Sequence, residues 1–362
     1  MDMTREEQMR DFLAASGWGD AVVTPIPGDA STRSYARLAL GERKALLMNQ
    51  PQGAEAPVAP PGASAEERRA LGYNAVARLA GADVGRFAAV AQHLRAAGLS
   101  APEVHAADTA LGLMVLEDLG DGLFADVVAQ GGDEQALYHN AMEVLARLHA
   151  DGAPEAMGEK PLFAYDETAL IAEIDLLTQW YFPYALGREA SEDEVAEHRA
   201  LWRSALAPVL AAEPVFVHRD YHAQNLIWLP QREGAAKTGL IDFQDAVAGS
   251  RAYDLASLLE DARRDVAPAV AQSALAHYFK TMTAQGTPLD EDAFRAEMAA
   301  IATQRNAKIV GIFARLFQRD GKPRYLAYLP RVWGHLNRDL AHPSLAPLRA
   351  WYARTIPPEK RQ

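Results

Sequence analysis

The N-terminal third of the chain alternates apolar and polar residues with a period of two. The alternation covers residues 21–40 and 43–51, and Gly28 and Gly41 mark its turns. A period of two places successive side chains on opposite faces of a strand. The pattern therefore predicts a small antiparallel sheet, preceded by a charged helix over residues 4–15.

The next segment, residues 51–67, is rich in proline, alanine and glycine. This composition predicts a loop, and a solvated linker and a substrate-covering lid over residues 51–65 are equally compatible with it. Residues 83–97 then show helical periodicity that ends at a glycine and a proline. Residues 112–121 have the pattern of a strand that runs into a charged connector.

From about residue 123 onwards the periodicity is mostly helical. The exception is residues 215–243, which have the pattern of short strands around loops. The sequence therefore predicts an α+β fold with two lobes. Residues 1–118 would form a β-rich N-terminal lobe, and residues 119–362 a larger, mainly helical C-terminal lobe.

Composition narrows the classes of function. The 362 residues carry a formal net charge of −12, which argues against binding to a nucleic-acid backbone. No cysteine is present, which excludes disulfides, thiolate metal sites and a thiol nucleophile. The N-terminus lacks the apolar core of a signal peptide, and no apolar run reaches the length of about 18 residues that a membrane span needs. We therefore expect a cytoplasmic protein with no membrane contact and no obligate protein partner.

One polar loop, HRDYHAQN at residues 218–225, lies between apolar stretches. It matches H-R-D-x-x-x-x-N, the catalytic-loop pattern of protein kinases. In that chemistry the aspartate, here Asp220, reaches the attacking hydroxyl group and accepts its proton. The asparagine, here Asn225, reaches a metal ion on the phosphates.

Seventeen residues after Asn225, an apolar stretch ends in Asp242-Phe243. This is the position of the metal-binding aspartate in the kinase D-F-G motif. A predicted hairpin returns Asp242 towards the polar loop. Any one of these residues could simply cap a turn or a helix, but together they predict phosphoryl transfer, with Asn225 and Asp242 as Mg²⁺ ligands.

Three further polar residues have weaker signals. His222 either supports the loop or meets the substrate, and the sequence does not decide between these roles. His149, in LARLHA, is predicted to be a buried, hydrogen-bonded helix residue. Asp254, in RAYDLASLL, is predicted to cap or anchor a helix without a part in the chemistry.

Residues 27–38 lie where a kinase folds a hairpin over the triphosphate. Ser31, Thr32 and Arg33 are candidate nucleotide ligands there, and Arg37 could also meet phosphate. The backbone from Glu117 to Leu119, at the junction of the lobes, would hold the adenine edge.

These motifs resemble the aminoglycoside phosphotransferase and choline kinase-like superfamily, whose members are relatives of the protein kinases. The resemblance rests on HRDYHAQN, LIDFQDAVAGSRAYDLASLLEDAR, LEDLGD and GDASTRSYARL. With GIFARLFQRDGKPRYLAYLPR, these segments are most similar to the N-acetylmuramate/N-acetylglucosamine anomeric kinases of peptidoglycan recycling. The resemblance implies a protein-kinase-like bilobal fold, ATP as co-substrate, Mg²⁺, and a sugar 1-phosphate as product.

The chain departs from the kinase pattern at one ion pair. The strand position that offers a lysine to the α- and β-phosphates is Met48, and the helix over residues 83–97 contains no glutamate to pair with it. Because both partners are missing together, we expect a replacement. Lys44, Arg33 or Arg37 could supply the positive charge.

Three functions remain open from the sequence. The first is a small-sugar kinase, the second an aminoglycoside or other small-alcohol phosphotransferase, and the third a nucleotide-binding pseudokinase. A polycationic aminoglycoside should require an acidic pocket, whereas the predicted substrate side has mixed charge and a basic helix that suits a carboxylate. The predicted substrate residues are His222, Trp180, Tyr181, Asp261, Arg263 and Arg305.

Overall fold

The structure is a computed structural model, and it describes residues 3–27, 33–51, 58, 60, 62–79 and 83–361. The strands, numbered in chain order, are β1 (Val22–Ile26), β2 (Ser34–Leu40), β3 (Arg43–Asn49), β4 (Val104–Asp108), β5 (Leu113–Leu116), β6 (Ala156–Met157), β7 (Lys160–Pro161), β8 (Val215–Val217), β9 (Leu226–Trp228), β10 (Thr238–Leu240) and β11 (Val247–Gly249).

The helices are α1 (Arg5–Ala15), α2 (Ala65–Leu71), α3 (Val84–Ala96), α4 (Phe124–Ala129), α5 (Glu134–Ala150), α6 (Glu167–Leu176), α7 (Glu192–Ala211), α8 (Ala252–Leu259), α9 (Pro268–Ala284), α10 (Glu291–Gln318), α11 (Leu329–Asp339) and α12 (Ala346–Thr355). π-Helical segments lie at Asn74–Arg78 and Leu177–Leu186, and short 3₁₀ turns at Gly234–Lys237, Pro323–Tyr328, Pro343–Leu345 and Pro358–Lys360.

The chain forms two compact units, and each is discontinuous in sequence. The first comprises Met1–Gly132, Glu155–Leu162 and Gln224–Ala246, and the second Asp133–Pro154, Phe163–Ala223 and Val247–Gln362. The sequence offered one boundary, between residues 118 and 119. The division into residues 1–118 and 119–362 therefore stays a prediction.

The first unit contains the predicted antiparallel sheet, with strand order β1-β2-β3-β5-β4. Its register sets Ala36 opposite Leu47 and Leu38 opposite Ala45. These side chains share one face of the sheet, where they pack with Leu13 of α1 and with further apolar residues. The period-two pattern therefore predicted the antiparallel strands correctly.

Helix α1 begins as the sequence predicts. Thr4 is the N-cap, and it forms a capping box with Glu7. The predicted loop over residues 51–67 is wrong at its C-terminal end, because Ser64 and Glu67 form a second capping box that starts α2 at Ala65. Most of the possible lid, including residues 52–57, lies outside the described residues.

The second unit is mainly helical, and the 28-residue helix α10 packs against α6, α8 and α11. A Cβ atom at Gly311 of α10 would lie 2.4 Å from the backbone carbon of Leu176. The close approach of α10 to the end of α6 therefore requires a glycine at this position. The two-stranded pairing of β8 with β11 also belongs to this unit.

The helical periodicity that begins near residue 123 corresponds first to two helices. Helices α4 and α5 are separated at Gly131, which has a φ of 89°, and Asp133 caps the start of α5. No helix of the described residues is long and apolar enough to cross a membrane.

Candidate active site

The polar loop follows strand β8 and is held by a buried carboxylate. The Asp254 Oδ2 atom accepts a hydrogen bond from the His218 N–H at 2.6 Å, and its Oδ1 atom accepts one from the Arg219 N–H at 3.0 Å. Burial raises the pKa of Asp254 to about 7, against the lowering effect of these two donors. Asp254 therefore does not cap α8, but its carboxylate anchors this helix to the loop backbone, as one of the two predicted roles states.

The loop backbone is also strained at one residue. Arg219 has a φ of 74°, a region that residues with a Cβ rarely occupy. Its guanidinium group turns into the core, where Nη2 lies 2.7 Å from the Glu173 Oε1 atom and the carbon Cζ lies 4.8 Å from the centre of the Tyr165 ring. These contacts offset the strain and leave the next side chain, that of Asp220, partly exposed.

Glu173 joins this loop to helix α10. Its Oε1 atom also lies 2.6 Å from Lys308 Nζ, and its Oε2 atom accepts hydrogen bonds from Gln304 Nε2 and from the Tyr165 hydroxyl. Although burial alone would raise the pKa of Glu173, Lys308 and Arg219 outweigh burial and hold that pKa below its usual value. A buried carboxylate with this set of partners stays charged.

Asp220 lies at a cavity of about 110 Å³ in the second unit. A complete small-molecule site typically measures about 300–1,000 Å³, so this cavity can hold one part of a substrate. Its lining residues are Arg219, Asp220, His222, Tyr253, Ala262, Arg263, Arg305, Lys308, Ile309, Ile312 and Phe313. The structure thus brings Asp220 together with the predicted substrate residues His222, Arg263 and Arg305.

His222 is buried in this wall. Burial, with help from the nearby Arg263, lowers the pKa of His222 to about 3. Its Nε2 atom lies 3.4 Å from Arg263 Nη1. Because the imidazole is neutral, it adds no positive charge to the cavity.

The predicted substrate residue Asp261 lies outside the lining of this cavity. It is 1% exposed and does not line the cavity. Its Oδ1 atom accepts a hydrogen bond from the Arg263 N–H at 2.8 Å. Asp261 therefore shapes the turn that presents Arg263.

The two predicted aromatic residues, Trp180 and Tyr181, are not among the lining residues of this cavity. Tyr181 is fully buried, and its hydroxyl donates to the Lys360 carbonyl at 2.5 Å and accepts from Trp333 Nε1 at 2.9 Å. The π-helical segment turns this ring into the core, so Tyr181 cannot cover a sugar ring in this arrangement. Trp180 is partly exposed, and its role stays a prediction.

The predicted metal ligands lie in the first unit. Strands β9 and β10 form the predicted hairpin, in which Leu226 pairs with Leu240. Asn225 precedes the hairpin and Asp242 follows it, so the antiparallel pairing brings them together. Asn225 Nδ2 lies 3.4 Å from the Asp242 Oδ2 atom.

Asp242 offers an accessible carboxylate. Its side chain is 47% exposed, and its Oδ1 atom lies 3.8 Å from Arg33 Nη1 and accepts a hydrogen bond from Gln244 Nε2 at 2.9 Å. One carboxylate and one amide oxygen fit the donor set of Mg²⁺, which usually takes one or two carboxylates together with phosphate oxygens and water. The two residues can therefore hold the metal once phosphates complete its coordination.

Helix α3 fixes the loop that carries Asp242. Arg86 is 2% exposed, and its guanidinium donates to the carbonyl groups of Gln244 at 3.0 Å, Pro161 at 2.6 Å and Ala246 at 2.6 Å. Asp242 itself has a φ of 62°. The clamp by Arg86 supports this strained backbone.

The sheet face opposite α1 carries the candidate phosphate ligands. Strand alternation places Arg37, Lys44 and Met48 on this face, and Met48 is fully buried. Lys44 is exposed. Arg37 instead forms ion pairs with Asp118 and Asp121, so its charge is already neutralised.

The structure describes only some of the other predicted nucleotide-binding residues. The carboxylate of Glu117 binds Arg232 and Arg95, and Leu119 packs with Ile227 and Leu229. Their contact with adenine stays a prediction. Ser31 and Thr32 lie outside the described residues.

Sequence reasoning missed two residues of the site. Glu173 was not singled out, although two acidic residues, Glu173 and Asp175, in the otherwise apolar LIAEIDLL are a signal for buried ion pairs. Arg86, in VGRFAAVAQHL, gave no signal that distinguishes it from a surface arginine. His149, by contrast, is buried with its Nδ1 atom 2.8 Å from the Tyr278 hydroxyl, which confirms the prediction for it.

Comparison with known proteins gives relatives over nearly the whole chain. The chain is 46% identical to the N-acetylmuramate/N-acetylglucosamine kinase of Caulobacter vibrioides, over 99% of this chain and 98% of the relative. It is 32% identical to the protein of the same name from Pseudomonas aeruginosa, over 93% of this chain and 90% of the relative.

Solved structures show the same fold. An ADP-bound aminoglycoside phosphotransferase matches with a TM-score of 0.54 and 15% identity, over 93% of this chain and 97% of that one. The ethanolamine kinase of Plasmodium vivax matches with a TM-score of 0.57 and 12% identity, over 96% of this chain and 92% of that one. The predicted α+β, protein-kinase-like fold class is confirmed.

The phosphotransferase enzyme family, APH, matches residues 22–291. With the relatives above, this match makes the chain a kinase-type phosphotransferase, a member of the APH phosphotransferase enzyme family.

Proposed function

We propose that the protein transfers the γ-phosphoryl group of ATP to the anomeric hydroxyl of N-acetylmuramate, N-acetylglucosamine or both. The names of relatives that are 46% and 32% identical over most of their length support this substrate class. The product is a sugar 1-phosphate, which serves cell-wall recycling in the cytoplasm.

The charge of the cavity beside Asp220 is the structural observation that carries the proposal. Four cationic side chains line it, and two of them, Arg219 and Lys308, are paired with the buried Glu173. Arg263 and Arg305 remain, against one lining carboxylate, that of Asp220. Such a wall repels a polycationic aminoglycoside and tolerates a neutral or anionic sugar. A sugar with an N-acetyl group in place of a free amine avoids this repulsion.

Asp220 acts as the general base. Its loop is held by Asp254 and its side chain remains partly exposed, so the carboxylate is available to a hydroxyl group. The anomeric hydroxyl is more acidic than other sugar hydroxyls, and a carboxylate is a sufficient base for it. Asp220 orients this hydroxyl for attack and accepts its proton.

Asn225 and Asp242 are the residues that would hold Mg²⁺, which on binding neutralises charge on the phosphates. Arg33 lies 3.8 Å from the Asp242 carboxylate, so it brings a positive charge next to the proposed metal ligand. Together with Lys44, Arg33 takes over the role that Met48 cannot fill. The backbone of Glu117 to Leu119 binds the adenine edge.

The pseudokinase alternative has less support. It rests on the missing strand lysine, whereas Asp220, Asn225 and Asp242 are all present and Arg33 offers a replacement charge. A non-catalytic protein would have no need of a strained Arg219 backbone that projects Asp220 from a buried anchor.

A panel of acceptor sugars tests the proposal. The protein is incubated with ATP, Mg²⁺ and each of N-acetylmuramate, N-acetylglucosamine, choline and kanamycin, and ADP release is followed. For each substrate that turns over, reducing ends and acid-labile phosphate are assayed, since a phosphate on the anomeric carbon removes the reducing end. Turnover of kanamycin without turnover of either sugar would assign the antibiotic-kinase function instead.

A further inference from the structure

The cationic wall of the Asp220 cavity contains two pairs of side chains with different surroundings. Arg219 and Lys308 both contact the buried Glu173 carboxylate, at 2.7 Å and 2.6 Å. Arg263 and Arg305 form no ion pair within 4 Å in the part of the chain that the structure describes. The first pair is structural, and the second pair leaves positive charge at the cavity.

Arg305 is the more constrained of the two. It is 5% exposed, and its Nη1 atom lies 3.4 Å from the Glu260 carbonyl oxygen at the end of α8. Arg305 also interacts electrostatically with the buried Asp254 carboxylate, but beyond ion-pair distance. One long hydrogen bond to a neutral oxygen does not compensate a buried guanidinium group. The Arg305 guanidinium group is therefore available to bind an anionic ligand.

Arg263 approaches the same cavity from the turn after α8. Its neighbour His222 is neutral because burial lowers the pKa of His222, so this contact does not neutralise Arg263 either. A guanidinium group presents its N–H donors in a planar fork that matches a carboxylate. Two such groups on one small cavity therefore favour a carboxylate ligand.

The position of the cavity indicates which molecule carries the carboxylate. Asp220, the proposed base, lines the same cavity, which places the cavity on the acceptor side of the reaction. N-acetylmuramate is N-acetylglucosamine with an added lactyl ether, so the two sugars differ by one carboxylate-bearing substituent. Ile309, Ile312 and Phe313 supply apolar lining for the carbon atoms of such a group, and about 110 Å³ suits one substituent.

We propose that Arg305 and Arg263 form a carboxylate subsite that recognises the lactyl group of N-acetylmuramate and makes it the preferred acceptor. This inference rests on the proposed function, since it names the substrate within that class. Arg305 and Arg263 are specificity-determining residues here, and they take no part in proton transfer.

The test compares three acceptors: N-acetylmuramate, its neutral methyl ester and N-acetylglucosamine. Wild type should prefer the acid to the ester by roughly 10–100-fold in kcat/KM, the range for hydrogen bonds to a charged group. In Arg305→Gln and Arg263→Gln this preference should collapse, because kcat/KM for the acid should fall much more than kcat/KM for the ester or for N-acetylglucosamine. Arg305→Lys should retain part of the preference.

Arg264→Gln is the matched control. Arg264 is next in sequence to Arg263, but it pairs with Glu134 and does not line the cavity. It should keep the full preference for the acid. Thermal unfolding of each variant shows whether it folds. If Arg305→Gln does not fold, the comparison is made with Arg305→Lys instead.

The outcomes separate this inference from the proposed function. Equal kcat/KM for acid and ester in wild type would overturn the subsite and leave the sugar kinase intact. Equal losses for all three acceptors in Arg305→Gln would also overturn it, because the arginine would then act through the fold or through Asp220. If wild type turned over no sugar, the proposed function would fail. Calorimetric binding of N-acetylmuramate without ATP would then test the subsite alone. If Arg305→Gln bound N-acetylmuramate as tightly as wild type does, the subsite would be overturned.

Discussion

The Glu173 Oε1 atom lies 2.7 Å from the Arg219 Nη2 atom, and both side chains are buried. The same carboxylate contacts Lys308 of α10. One buried acid therefore fixes both the arginine of the polar loop and a lysine of the cavity wall. Removal of the Glu173 carboxylate would leave the buried Arg219 and the largely buried Lys308 without their shared partner, so we expect Glu173 to contribute strongly to the stability of the second unit.

Glu173→Gln should destabilise the second unit by about 3–5 kcal/mol, the range for breaking a buried ion pair. Urea unfolding measures the change. The control is Glu167→Gln on the same helix, because Glu167 pairs with Arg203 where both side chains are 49% exposed. That exposed pair should contribute about 0–1 kcal/mol. Equal effects of the two changes would contradict the central role of Glu173.

Asp220→Ala should lower kcat by roughly 10²–10⁴-fold, the usual contribution of a general base. ATP binding should be nearly unchanged, because Asp220 lines the acceptor cavity. Steady-state kinetics with the best acceptor and a fluorescent nucleotide titration measure the two effects. More than half of the wild-type kcat in the variant would end the assignment of Asp220 as the base.

The sequence predicted this chemistry because its signals are local. Asp220, Asn225 and Asp242 occur at fixed spacings, and the period-two strands predict the hairpin that brings the last two together. Residues that support them come from distant parts of the chain. Arg86 reaches the carbonyl of Gln244 across 158 positions, and no periodicity reveals such a partner.

The substrate side was harder to predict for a related reason. Tyr181 has an aromatic ring of the kind that stacks on sugars. The direction of this ring depends on a π-helical segment, which the apolar pattern does not distinguish from an α-helix. Arg305 was predicted as a substrate residue from the basic segment of α10, and the structure places it in the lining of the Asp220 cavity. Its contact with substrate stays a prediction.

Asp242→Asn should lower turnover and raise the Mg²⁺ concentration needed for half-maximal rate. A neutral amide binds a hard divalent cation more weakly than a carboxylate does. Titration of Mg²⁺ at fixed ATP and sugar gives this concentration for wild type and variant. Activity that persists in EDTA and does not respond to added Mg²⁺ would contradict a site at Asn225 and Asp242.

Arg33→Ala and Lys44→Ala should raise the KM for ATP more than the KM for the sugar. For Arg33 we expect roughly 10–100-fold, the range for a hydrogen bond to a charged group. Arg37→Ala is the matched comparison on the same sheet face, and it should change the KM for ATP less because Asp118 and Asp121 already neutralise Arg37. If none of the three variants changed the KM for ATP, the phosphates would be held by backbone amides and metal alone.

Buried histidines should make the second unit sensitive to mild acid. Burial lowers the pKa of His149 to about 3, whereas an unfolded histidine titrates near about 6.5. The unfolded state therefore binds one more proton between these values, and stability is lost as the pH falls below about 6.5, at about 1.4 kcal/mol per pH unit.

His149→Gln removes this proton uptake, so its free energy of unfolding should fall less than that of wild type between pH 7.5 and pH 5, by about 2 kcal/mol. Urea unfolding at the two pH values gives this double difference, which cancels any loss of the hydrogen bond to Tyr278 that is the same at both. Tyr278→Phe is the control, because it removes the same hydrogen bond but keeps the buried imidazole of His149, and it should therefore retain the wild-type pH dependence. A wild-type pH dependence that His149→Gln leaves unchanged would mean that His149 is protonated in the folded protein.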